Sequence, residues 1–170
     1  MFRRHVPVWL FGLFSLWLAS EMAMVWQRLP TRLATHFAWS GEPNGWSTPA
    51  QFLGVLATVF LVFAGLLAGA GWLERIPDRF LNLPHKSYWL SGDRRAPALA
   101  LLRQWLRWFL VITYAALVAL MTAVLQANLS GAPHLAVSPT LMFGGLVLPQ
   151  LAMIAWLYWR LRAPRETRHG

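Results

Sequence analysis

From Phe52 to Leu73 the chain carries no charged residue, and this run limits the possible folds more than any other feature. About twenty helical residues, at about 1.5 Å each, cross a hydrocarbon core of about 30 Å. An apolar run of that length reads as a membrane-spanning helix, because a helix satisfies its backbone polar groups without water. Three further runs have the same character: Val8 to Trp26, about Leu106 to Leu125, and Leu141 to Trp159. The first is interrupted only by Ser15, Ser20 and Glu21. Its length, the bulky Trp9 and Trp17 and the lack of a small-x-small site favour a retained span over a cleaved signal peptide.

Composition agrees with a bilayer as solvent. Hydrophobic residues make up 57% and charged residues 12%, with a mean hydropathy of +0.45. The absence of cysteine excludes disulfides, thiolate metal sites and a cysteine nucleophile. Eleven Trp residues recur near the ends of the apolar runs, where an amphipathic indole is most stable.

The expected class is therefore an all-α polytopic membrane protein with four spans, forming a single domain over residues 1–170. The spans are expected at about 8–26, 52–73, 106–125 and 141–159. They are joined by a structured loop at 28–51, a long segment at 74–103 and a short loop at 127–140, with a basic tail at 160–170. In the 28–51 loop, the period-two passage from Leu33 to Trp39 predicts an extended segment. Gly41, Pro43 and Gly45 predict a tight reversal after it. Thr48, Pro49 and Gln51 form a capping box that starts the second span. Gly65 and Gly69 permit close helix approach. The 74–103 segment mixes cations with Phe80, Tyr88 and Trp89, which suits the headgroup zone, with a short helical turn near Lys86 to Leu90. Pro149 is expected to break or kink the fourth helix, beside Gln150.

The net charge of +9 is a topology signal before it is anything else. Of fifteen Lys and Arg residues, all but Arg28 and Arg32 fall in the N-terminal stretch, the Glu74 to Arg107 segment or the tail. The positive-inside rule then predicts both termini and the middle segment in the cytoplasm, with the 28–51 and 127–140 loops outside. Cations scattered along one membrane face argue against a nucleic-acid groove.

A resemblance adds to this. Leu29-Pro30, Thr35-His36-Phe37 and Ser40 to Trp46, set between the first two spans, resemble the domain-of-unknown-function 1648 family. That module is shared with SdpI-type immunity and signalling proteins. The passage from Ile76 to Trp89 is similar to a recurring cytoplasmic segment of short relatives. The resemblance implies an integral protein of the bacterial cytoplasmic (inner) membrane, with no family-wide chemistry and no cofactor.

Several residues invite functional readings. Glu21, deep in an apolar run, reads as a proton, cation or ligand site, or as a carboxylate paired with Arg28. His36, Glu42 and His134, with Glu21, offer a weak candidate metal set, against a structural histidine bonded within its loop. Phe37, Trp39 and Trp46 could rim a site for a peptide or lipid chain, with Asn44 in the same turn. The leading expectation is a non-enzymatic envelope protein that binds a peptide, lipid or membrane-protein partner at its outer face. The alternatives are a proton or small-cation transport component using Glu21, Pro149 and Gln150, and a membrane-embedded metal-dependent hydrolase using the outer His and Glu.

Overall fold

The computed structural model describes residues 5–162; the N-terminal basic pair and most of the basic tail lie outside them. Helix α1 (Val6–Val25) ends in a 3-10 turn, Trp26–Arg28. Strands β1 (Leu33–Phe37) and β2 (Pro43–Ser47) follow and pair antiparallel. Helix α2 (Pro49–Gly69) continues as a 3-10 stretch, Ala70–Arg75. The single-turn α3 (Lys86–Trp89) precedes α4 (Arg95–Leu129) and α5 (Pro139–Arg160). Four of these helices are long and apolar enough to cross a membrane, which makes the chain a multi-pass membrane protein. It is mostly helical rather than all-α, because the extended passage pairs with the strand after the turn.

Helix α4 is the centre of the bundle. On one side it joins α1 and α2 in a core that includes Phe11, Leu18, Phe52, Leu67, Val111 and Tyr114. The Tyr114 ring lies 4.5 Å from Phe11 and 5.4 Å from Phe63, and its hydroxyl shares a hydrogen bond with Ser15 Oγ at 2.9 Å. Such aromatic packing and interhelical polar links hold helices together where lipid removes the hydrophobic incentive. On another face Trp105 Nε1 donates to the Met153 carbonyl at 2.9 Å, tying α5 to α4. Helices α2 and α5 hardly touch each other.

At the end of the bundle away from the hairpin, residues 74–94 form a folded pad. Leu81 and Leu83 pack with Leu99, Leu102, Leu157 and Leu161. Trp89 Nε1 donates to the Leu161 carbonyl at 2.7 Å, Arg95 pairs with Asp78 at 3.0 Å, and Arg103 pairs with Glu74. The short turn expected near Lys86 is α3.

Helix α4 has 35 residues and contains the whole span expected at 106–125, with Arg103 in the turns before it. Two sequence expectations change. At the other end α4 runs through Ala127 and Asn128 to Leu129, which shortens the following loop. Helix α5 continues through Pro149 instead of breaking. Proline removes the bond to the carbonyl four residues earlier, and one missing bond in a helix of 22 residues does not end it.

Candidate functional site

The site is built around the hairpin. Leu33 and Ala34 are fully buried at its base, and the reversal is closed by Gly41 N–H donating to Ala38 O at 2.9 Å and Ala38 N–H donating to Glu42 O at 2.8 Å. Gly41 has a φ of +87°, where a side chain is strained, and a Cβ there would lie 2.8 Å from His134 Cε1. The loop after α4 docks on this turn, with Leu135 N–H donating to Gly41 O at 3.1 Å. Pro43 and Gly45 belong to β2 rather than to the turn. Gly45 is small for a different reason: it pairs with His36, whose side chain lies across it, and a Cβ would come within 2.9 Å of His36 Cβ.

The hairpin is anchored by Asn128, the only buried polar residue among those described. Its Oδ1 accepts from Ala34 N–H at 2.7 Å, and its Nδ2 donates to Ala34 O at 2.9 Å and to Val124 O at 2.8 Å. The carboxamide thus takes the place of a third strand along the free edge of β1, satisfying a backbone that would otherwise be buried unpaired. Asn128 is not among the residues that the sequence singles out. A polar amide a turn from the end of a long apolar run was the available signal.

Beneath the hairpin, between α2, α4 and α5, lies a cleft of about 790 Å³. Its back wall is the small-residue row Ala116, Ala119 and Ala123 of α4, spaced to share one helix face. Phe52 and Val55 form one side, and Met142, Gly145 and Leu146 the other. Phe37 and Trp39 reach over it from the hairpin. Trp39 meets Phe143 edge-on at 6.3 Å, which makes an aromatic rim. The polar lining is confined to the hairpin end: Thr35, His36, Ser47 and Gln51. Ser47 Oγ is buried and has no hydrogen-bond partner among the described residues. Gln51 Oε1 is occupied by the capping box, accepting from Thr48 N–H at 2.9 Å.

The predicted residues divide accordingly. His36, Phe37 and Trp39 line the cleft. Trp46 does not; its ring lies 5.9 Å from the Arg32 guanidinium. Glu42 and Asn44 are exposed on the hairpin. His134 packs at the Gly41 turn. Glu21 accepts from Gln126 Nε2 at 3.2 Å, so its observed partner is an amide on α4 rather than Arg28. No three His, Asp or Glu among the described residues come together as a metal set, so His36, Glu42, His134 and Glu21 do not converge. Gln150 lies in α5, outside the cleft lining, with both amide atoms buried and without partners among the described residues. Helix α1 meets α4 at Tyr114, and α5 meets it at Trp105.

The fold and the cleft together define a multi-pass membrane protein with a hairpin-capped apolar site. Residues 13–62 match the family model described as Domain of unknown function (DUF1648), in agreement with the His36 to Trp46 motif. The match covers α1 from Leu13 onward, the hairpin and α2 as far as Val62. No curated protein and no solved structure matches the chain.

Proposed function

We propose that this chain is a non-enzymatic protein of the bacterial cytoplasmic membrane whose hairpin end faces outward and binds an apolar ligand, a peptide or a lipid, in the cleft. The observation that carries this reading is the cleft itself: about 790 Å³ of space, within the roughly 300–1,000 Å³ usual for ligand sites, walled by apolar side chains and closed by a built cap. The orientation rests on the Lys and Arg distribution, which leaves only Arg28 and Arg32 near the hairpin end. The hairpin module is the part that resembles SdpI-type immunity and signalling proteins, and a role in sensing or neutralising an amphiphilic molecule outside the cell follows from that likeness. The pad, locked to both α4 and α5 by Arg95, Arg103 and Trp89, is placed to register a change in α5 position on the cytoplasmic side.

The test is ligand retention. Protein purified in mild detergent is examined by native mass spectrometry, as wild type and as Ala119→Trp, which fills the back wall. The proposal predicts a co-purifying small ligand on the wild type and its loss from the variant. Equal occupancy of both, or none in either, would contradict it.

A further inference from the structure

We infer that the occupant of the cleft is the acyl chain of a membrane lipid, inserted from the leaflet at the hairpin end with its polar linkage at Ser47. This rests on the binding reading above and narrows it to one ligand class.

Three observations point this way. First, the cleft is polar at one end and apolar over the rest, with Thr35, His36, Ser47 and Gln51 at the hairpin and Ala116, Met142 and Leu146 further along the helices. That gradient follows the helix axes, as the gradient in a lipid follows the bilayer normal. Second, the side of the cleft is formed by two helices that hardly touch, and residues of theirs outside the cleft lining, Leu53, Leu141 and Leu148 among them, are exposed and apolar. An opening of this kind faces hydrocarbon, so a chain can slide in sideways without crossing water. Third, the Ser47 hydroxyl is buried beside the polar end without a partner among the described residues. A buried hydroxyl left so is costly, and turning the Ser47 side chain toward the cleft would let it donate to an ester or phosphate oxygen there.

A peptide fits less well. An extended segment would press its N–H and C=O groups against walls that offer no partners below Ser47, and each such group is expensive in an apolar setting. A helix satisfies its own backbone, but at about 10 Å across, roughly 10 Å of its length would fill the available volume. An acyl chain brings no polar group into the apolar part.

The experiment uses the full chain in nanodiscs containing a phospholipid with a photoreactive diazirine near the end of one acyl chain, and in parallel an apolar peptide carrying the same group. The lipid probe is expected to label Ala116 to Val124 and Met142 to Leu146. Ala119→Trp is expected to lower that labelling about tenfold, since excluding two methylenes from apolar contact suffices for such a loss, while labelling of the outer surface of α1 at Leu13 to Trp17 stays unchanged. Ser47→Ala, a smaller change that preserves the fold, is expected to lower cleft labelling by about threefold to tenfold. Labelling by the peptide and not the lipid would overturn this inference and leave the binding proposal standing. Lipid labelling spread evenly over all exposed apolar faces and indifferent to Ala119→Trp, with no peptide labelling, would overturn both.

Discussion

Asn128→Ala should release the hairpin from the bundle while leaving the helices in place. The substitution strands the N–H and C=O of Ala34, a residue with no solvent exposure, because both are bonded to the Asn128 amide at 2.7 and 2.9 Å. Each buried backbone group left without a partner costs about 1–3 kcal/mol, so docking of β1 should weaken by about 2–6 kcal/mol. The gain in helix propensity from Asn to Ala is at most about 0.7 kcal/mol and cannot offset this. At about 1.4 kcal/mol per factor of ten, the smallest loss makes local opening about thirtyfold more frequent. Hydrogen exchange of the protein in nanodiscs reads this directly: amides of Leu33 to Phe37 should exchange at least about thirtyfold faster, with those of Val111 to Val118 unchanged. Unaltered protection of β1 in the variant would refute the claim that the amide substitutes for a neighbouring strand.

Two further outcomes follow from single contacts. Gly41→Ala forces a side chain into the left-handed region, at about 1–2 kcal/mol, and against the His134 ring; a lower Tm and faster proteolysis at residues 131–138 are expected, whereas an unchanged Tm would show that the turn is not held as described. Tyr114→Phe should cost only about 0.6 kcal/mol for its link to Ser15; Tyr114→Ala should cost about 3 kcal/mol, because it empties the contact with Phe11 and Phe63. Titration with a denaturing detergent measures both, and equal losses would place the energy in the hydroxyl instead of the ring.

Local chemistry explains which features could be read from the sequence. The spans announced themselves because the bilayer demands long apolar runs. The capping box at Thr48 and Gln51 and the strand from Leu33 are set by residues close in the chain, and both appear as expected. What could not be read depends on neighbours distant in sequence. The carboxylate of Glu21 meets Gln126, more than a hundred positions away, and a view along one helix offered only Arg28. The end of α4 at Leu129 is stabilised by Asn128 engaging β1, so a passage that looks like loop is helix. Pro149 marks a lost bond in any reading, but whether α5 ends there depends on the rest of its hydrogen-bond ladder. Within the site, the aromatic rim of Phe37 and Trp39 was legible, while Phe143, Ser47 and the alanine face of α4 emerged only when three helices were placed side by side.

A chain without cysteine allows the orientation of the hairpin-capped cleft to be measured with one added thiol. Glu42→Cys, at an exposed position of the hairpin, is treated in intact cells with a membrane-impermeant maleimide, beside Arg79→Cys in the pad. With the hairpin outside, the first is modified from outside and the second only after the membrane is opened. The reverse pattern would put the cleft on the cytoplasmic side and contradict an outward-facing binding protein.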